Sequence, residues 1–189
     1  MRLTLKFFLA LMLFALPFSG AMADEYDDTV KIFKNAGESG NFFGNSYGYA
    51  IFPTIGKGGI GIGAAHGSGR VYEQGKYVGD TKMNQVSIGL QLGGQAYSQV
   101  VFFQDKRSFD EFTSGNFEFS ADANAVAITA GASASASTGG SSAGASGGKN
   151  DATTAGKYHK GMAVFTVAKG GLMYQAAIAG QKYKYTPKK

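Results

Sequence analysis

The residues that could carry catalysis or hold a metal ion are few in this chain and widely separated. His66 and His159 are its two histidines, and each stands beside glycine or lysine in a predicted turn. A histidine-based metal site or catalytic triad would need both of them and distant partners as well. Asp110 and Glu111 are adjacent in a predicted helix, where neighbouring side chains point in different directions. We therefore expect no catalytic residue, no metal site and no enzymatic activity.

A glycine-rich segment, 56–61, matches the spacing of the dinucleotide-binding fingerprint, and Asp80 falls about where the ribose-binding acid would stand. Pyrophosphate binding requires a helix to begin at those glycines. Gly63, Gly67 and Gly69 follow, and so many glycines disfavour a helix and favour a hairpin. No Walker-type loop ending in Lys-Ser or Lys-Thr is present either. We therefore expect no cofactor.

Short strands dominate the elements that must position any site. Strands are predicted near 48–55, 59–65, 69–73, 84–93 and 95–104, at 117–119 and over about 123–132. Turns are predicted at 56–58, 66–68, 74–75 and 93–94. In the fourth strand Val86, Ile88, Leu90 and Leu92 alternate with polar residues and glycine, which indicates that their face is buried.

Two helices accompany these strands. The first is predicted over about 25–36, where apolar residues recur at helical spacing behind an acidic N-terminus. The second is predicted near 106–114, with Asp105 or Ser108 as its N-cap and Gly115 at its end.

A short internal sequence repeat bears on how the strands are arranged. Ala50-Ile51-Phe52 and the later Lys57-Gly58-Gly59 reappear as Ala163-Val164-Phe165 and Lys169-Gly170-Gly171. Two such hairpins would pair late strands with early ones and leave few exposed edges; shared turn chemistry is the alternative explanation. The predicted fold is α+β and predominantly antiparallel β, with a barrel-like or strongly curved sheet.

The start of the chain predicts export. Arg2 and Lys6 precede an apolar run over 7–18, and small residues at 21–23 suit signal peptidase. We expect a signal peptide over 1–23 and a mature chain from Asp24 that is periplasmic, peripheral to an envelope membrane, or secreted. The run is shorter than the ~20 residues of a membrane span.

The mature chain, 24–189, is predicted to form a single domain. Within it, 132–156 consists almost entirely of alanine, serine, glycine and threonine, which cannot bury enough apolar surface to order itself. We expect a flexible loop near 138–156. The chain contains no cysteine, so disulfides are excluded.

Lysine is concentrated toward the end of the chain. From position 149 onward eight lysines stand against Asp151 alone, whereas 24–28 contains four acids. A basic end can meet an anionic membrane or another polyanion. The alternative is a tail that only improves solubility.

Three segments follow one another in fixed order: Tyr-Ala-Ile-Phe-Pro at 49–53, Lys-Gly-Gly-Ile-Gly-Ile-Gly at 57–63 and Ser-Ile-Gly-Leu-Gln-Leu-Gly-Gly-Gln at 87–95. Val-Val-Phe-Phe at 100–103 and Ala-Asp-Ala at 121–123 continue the series. In this order they resemble the SYLF domain, also called the Ysc84 actin-binding domain. The resemblance covers most of the expected mature chain.

That resemblance implies a binding domain rather than an enzyme. SYLF proteins are associated with phospholipids, including phosphoinositides, and some eukaryotic members bind actin. The resemblance therefore makes actin a possible partner, but an exported protein would not ordinarily meet actin. For an exported chain we expect an anionic phospholipid or a membrane surface as the partner and no nucleic acid. Ammonium groups attract lipid phosphates, and tyrosines suit a membrane interface. The predicted lipid-contact residues are Lys57, Lys169, Lys182, Tyr183, Lys184, Tyr185, Lys188 and Lys189.

A structural role is the alternative. Glycine, tyrosine and alternating strands are also found in envelope proteins, including outer-membrane barrels, that need no specific lipid ligand. Against a barrel of that kind, the chain ends in Thr-Pro-Lys-Lys at 186–189 and lacks a final strand that terminates in an aromatic residue.

Overall fold

A computed structural model of the chain describes residues 21–36, 38–60, 62–88, 94–123, 125–128, 157–169 and 178–189. This part contains three helices: α1 (Ala21–Asn35), α2 (Glu38–Asn45) and α3 (Lys106–Thr113). It contains eight strands: β1 (Gly48–Ile60), β2 (Ile62–Glu73), β3 (Lys76–Ile88), β4 (Gln95–Phe103), β5 (Asn116–Glu118), β6 (Val126–Ile128), β7 (Met162–Lys169) and β8 (Lys182–Pro187).

One sheet holds all eight described strands in the order β5-β8-β3-β2-β1-β4-β7-β6. Neighbours are antiparallel, except that β6 runs parallel to β7. Gln99 in β4 donates from Nε2 to Tyr183 Oη in β8 over 2.6 Å, although three strands lie between them. The sheet is therefore open at β5 and β6 and strongly curved, and the predicted α+β, mostly antiparallel fold is confirmed.

The two copies of the repeat form strands on either side of β4. β1 and β7 both pair with β4, so late strands do pair with early ones, as predicted. Ala50 faces Val101 of β4, however, whereas Ala163 faces Phe102. A one-residue offset reverses the face to which a strand residue points, so the two copies are not structurally equivalent.

Two of the predicted turns are wrong. β1 and β2 form one long hairpin that pairs without a turn through 56–58 and 66–68, down to Ile60 opposite Ile62. A Cβ on Gly67 would lie 2.6 Å from the Ile55 side chain, so this glycine permits close packing and does not mark a turn. The turn at 74–75 is confirmed, because both of its residues have positive φ.

The predicted polarity of the fourth strand is wrong where the structure describes it. Val86 is 73% exposed, whereas Met83 and Gln85 are buried. The strand also begins earlier than predicted, at Lys76. The apolar side of the pattern therefore faces outward at this point. The side chains of 88–93 lie outside the described residues.

Apolar residues pack on both faces of the sheet. On the inner face, the concave side that holds α3, Phe109 and Phe112 join a cluster that includes Phe52, Val101 and Tyr183. On the outer face, α1 and α2 cover a second cluster on β1, β4 and β7. The covered outer area therefore lies at the β1–β4–β7 side of the sheet.

Helix α3 begins and ends as its sequence predicts. The Ser108 N–H donates to Asp105 Oδ1 over 2.9 Å, and the Asp105 N–H donates to Ser108 Oγ over 3.3 Å, which makes a reciprocal capping box. Gly115 follows the helix with φ 120°, a conformation that favours glycine.

Helix α1 confirms the predicted first helix but begins before 25, at Ala21. The sequence did not predict α2, which the glycines at 37, 40 and 44 argued against. A Cβ on Gly40 would collide with the Lys34 carbonyl oxygen, so that glycine allows the two helices to approach closely. No described helix is both long and apolar enough to cross a bilayer.

Several predictions fall outside the described residues. They are the segment before position 21, the first residue of the turn at 93–94, the end of the strand over about 123–132, the loop near 138–156, and the glycines and strand that follow Lys169 in the second copy of the repeat.

Candidate functional site

Lysines line an open part of the outer sheet surface on β3 and β8. Lys82 lies directly opposite Lys184, and Asn84 lies directly opposite Lys182. His66 of β2 pairs with Asn84 on the other side, with its Nδ1 2.8 Å from the Asn84 amide oxygen. All three lysines are exposed. We call the surface formed by Lys82, Lys182 and Lys184 the basic face.

The central pair of the basic face is electrostatically unfavourable. Residues directly opposite on antiparallel strands have Cβ atoms about 5 Å apart, and like charges in such pairs destabilise a sheet. Among the described residues, Lys182 forms an ion pair with Glu118 at 3.5 Å, whereas none is found for Lys82 or Lys184. The pair therefore keeps its positive charge available, and an anion bound between the two ammonium groups would relieve their repulsion.

The predicted C-terminal site residues divide between the two faces of β8. Lys182 and Lys184 lie on the basic face. Tyr183 points inward and is 2% exposed, and burial raises its pKa well above the usual value, so it stays neutral. Tyr185 is half-buried and donates its hydroxyl to the Val78 carbonyl over 2.9 Å. The two lysines can thus reach a surface ligand, whereas Tyr183 cannot.

Lys188 and Lys189 directly follow β8, which ends at Pro187, and both are exposed. Lys188 Nζ lies 5.0 Å from the centre of the Tyr77 ring, on β3. The two lysines therefore extend positive charge beyond the basic face.

The structure does not bring Lys57 and Lys169 together in paired turns. Lys57 lies within β1 and is half-buried, opposite Gln95 of β4. Lys169 ends β7, where its Nζ is 3.3 Å from Glu25 Oε1 and 2.6 Å from Thr54 Oγ1. Lys169 therefore attaches α1 to the sheet, while Lys57 is not engaged in that contact.

An apolar end adjoins the basic face. Ile60 and Ile62, paired at the end of the β1–β2 hairpin, are 85% and 66% exposed. Val86, on the adjacent β3 and opposite Ala64, is 73% exposed. We call Ile60, Ile62 and Val86 the hairpin tip. Exposed apolar residues that adjoin one another often mark an interaction surface.

A second polar cluster surrounds Asp122. Its Oδ2 lies 3.1 Å from His159 Nε2 and 3.1 Å from Lys160 Nζ, and Ser120 donates to its Oδ1. The hydrogen bonds from Ser120, Lys160 and His159 hold the pKa of the Asp122 carboxyl well below its usual value. All four side chains are exposed, and the described residues contain no group of three or more acids, histidines and cysteines that could hold a metal ion. The cluster joins the segment after β5 to the one before β7.

The dinucleotide-like spacing at 56–61 has no matching structure where it is described. Gly56 to Ile60 belong to β1 and pair with β2, so no helix begins there to receive a pyrophosphate.

Sequence reasoning missed Lys82 and the hairpin tip. Lys82 stands between Asp80 and Asn84 in a run where every second residue is charged or polar, which indicates an exposed strand face. The Lys-Tyr-Lys-Tyr alternation from Lys182 to Tyr185 likewise predicts lysines on one face and tyrosines on the other. The opposition of Lys82 and Lys184 depends on strand order, which no local pattern reveals.

The structure combines a strongly curved, mostly antiparallel sheet with a basic outer face. The family model described as "Ysc84: Las17-binding protein actin regulator" matches residues 84–185 of this chain. The chain belongs to this family, the SYLF family, a family of binding domains. The predicted family is thus confirmed.

A curated relative is beta cell expansion factor A from Aeromonas veronii, 28% identical over 158 residues. The match covers 82% of this chain and 51% of the relative. The chain thus spans about half the length of the curated relative that it matches.

Proposed function

We propose that the protein binds anionic phospholipid headgroups at a membrane surface through the basic face. The observation that carries the proposal is the cross-strand pair of Lys82 and Lys184, two exposed cations held side by side without a described ion-pair partner. Lipid phosphates supply the negative charge that this pair lacks. Each lysine near an anionic bilayer contributes on the order of 1 kcal/mol to binding.

The second part of the proposal is that the protein is exported. The signal-peptide pattern before Asp24 would deliver the protein to a compartment where it meets the outer surface of a membrane. Recovery of a periplasmic or secreted protein whose intact mass equals that of a chain beginning at Asp24 supports this step. Recovery with Met1 retained contradicts it.

The family description names an actin regulator, so cosedimentation with actin should be measured alongside the vesicle assays for comparison.

The main test is cosedimentation with vesicles of phosphatidylglycerol and phosphatidylcholine. Replacing Lys182, Lys184, Lys188 and Lys189 by glutamate should remove most binding, and salt well above physiological strength should release most of the wild-type protein. Vesicles of phosphatidylcholine alone should bind weakly. Absence of binding to every vesicle would reject the proposal and favour a structural envelope role.

A single substitution separates binding from folding. Lys184→Glu places an opposite charge beside Lys82, so the folded state should become as stable as the wild type or more stable. Vesicle binding should nevertheless fall. The matched control is Lys34→Glu on α1, which makes the same change in net charge away from the basic face. Equal loss of binding in both variants would mean that net charge, and not the basic face, controls binding.

A further inference from the structure

The hairpin tip exposes more apolar surface than its position in a sheet requires. Ile60 and Ile62 form part of the last cross-strand row at one end of the sheet, and Val86 lies two rows further in, where Ala64 pairs with both Gly58 and Val86. Nothing in the described part of the chain packs over them, since all three are more than 60% exposed. Three adjacent β-branched side chains at one end differ from apolar residues scattered singly over a surface.

The backbone keeps this end narrow. Gly59 has φ 151°, and a Cβ on it would collide with the Ile62 carbonyl oxygen. Only glycine fits so close to the opposite strand, so the two strands remain tightly paired up to Ile60 and Ile62. The tip is therefore a thin apolar edge.

We propose that the hairpin tip inserts into the apolar boundary of an anionic phospholipid bilayer while the basic face binds the headgroups above it. The inference rests on the proposed function and deepens it, because it names the part of the bilayer that the protein enters. It adds a hydrophobic contribution that the lysines alone do not provide.

Charge and spacing single out an anionic bilayer as the occupant. Lys82 and Val86 are four residues apart on β3, about 13 Å along a strand. Interfacial apolar groups sit about 5–10 Å inside the headgroup boundary, and a lysine side chain can span the remaining distance to the phosphates. Lys57, three residues from Ile60 on the other face of β1, supplies a cation on the second side of the tip.

The chain offers a clean reporter for this insertion. It contains no tryptophan and no cysteine, so Ile62→Trp creates a single tryptophan with no background. On vesicles of phosphatidylglycerol and phosphatidylcholine its emission should shift to shorter wavelength, and lipids brominated on their acyl chains should quench it. The control Asn41→Trp, exposed on α2, should show neither effect.

Removal of the apolar side chains provides the second measurement. Ile60→Ser with Ile62→Ser should weaken partition onto these vesicles about tenfold or more. The melting temperature should change little, because both side chains are exposed. Binding that remains in the wild type at high salt should be lost in this variant.

Each outcome identifies which idea fails. If the wild-type protein binds no vesicle, the proposed function itself is rejected. If it binds, but the Ile62→Trp emission is neither shifted nor quenched and the double serine variant binds normally, only the insertion is rejected. An Ile62→Trp emission that is already blue-shifted without vesicles also overturns the insertion. If that shift increases with protein concentration, a second copy covers the tip; if it is independent of concentration, a segment of the same chain covers it.

Discussion

Tyr183→Phe tests whether a buried hydrogen-bond network between β4 and the start of β8 stabilises the fold. Gln99 and Gln181 are 0% exposed, and Tyr183 is 2% exposed. The Gln99 amide donates to Tyr183 Oη over 2.6 Å and to Gln181 Oε1 over 3.1 Å, and the Tyr183 hydroxyl itself donates to Gln181 Oε1. Gln181 Nε2 donates to Tyr97 Oη over 3.1 Å. These bonds join β4 to the start of β8 across the concave side.

The size of the effect follows from the contacts that remain. Phenylalanine at 183 keeps the ring and its packing against Phe52 and Phe112, whose ring centres lie 5.6 Å and 5.0 Å away. It leaves one N–H of the Gln99 amide without its acceptor. A buried donor left without a partner costs about 1–3 kcal/mol. Taking the middle of that range, about 2 kcal/mol, and roughly 2–4 °C per kcal/mol for a domain of this size, we expect the melting temperature to fall by about 4–8 °C.

The assay is thermal unfolding followed by circular dichroism, with Tyr77→Phe as the matched control. The Tyr77 hydroxyl donates to Asp80 at an exposed site over 2.8 Å, and its loss should change the melting temperature by less than about 2 °C. The reasoning is refuted if Tyr183→Phe melts at the wild-type temperature or no lower than Tyr77→Phe.

Two further predictions concern the α3 cap and high pH. Asp105→Ala removes the acceptor of the Ser108 N–H and should lower the melting temperature by about 2–4 °C. Asp105→Asn can still cap the helix and should lower the melting temperature less. Equal losses in the two variants would contradict a stabilising role of the Asp105 cap. Burial raises the pKa of Tyr49 to about 12, so its neutral form stabilises the fold below pH 10, and this stabilisation is lost as pH rises from about 10 toward 12. Melting temperatures should be level from about pH 7 to 9 and fall above about pH 10, and a level profile to about pH 12 would contradict this.

Local patterns were sufficient for the elements whose residues determine their own conformation. Helix α3 was predictable because Asp105 caps it and Gly115 ends it, and both act within a few residues. The hairpin turns were less predictable, because glycine serves two purposes in this chain. Gly75 makes a turn through its positive φ, whereas Gly67 makes room for Ile55 on the neighbouring strand. Only the strand partner distinguishes these uses.

The polarity of β3 shows why the candidate site was only partly predictable. Alternation identifies two faces, but assigning the apolar one to the interior assumes that the interior is apolar at that point. Gln85 instead points inward and donates from Nε2 to the Ala179 carbonyl over 2.9 Å. Because the interior accommodates this polar group, Val86 lies on the outside. The lysines of β8 were identified from composition, whereas Lys82 emerged only with the strand order.

The position of the basic face follows from how far the two N-terminal helices extend over the sheet. α1 and α2 place Phe33, Phe42 and Phe43 over the outer surface of β1, β4 and β7. β3 and β8 lie on the other side of β1 in the strand order, beyond this cover. Strands with one uncovered face must carry polar residues there to stay soluble, yet that need would be met equally well by mixed charges. The Lys82–Lys184 pair brings like charges together. Solubility alone therefore does not account for the basic face, whereas the proposed binding to an anionic surface would.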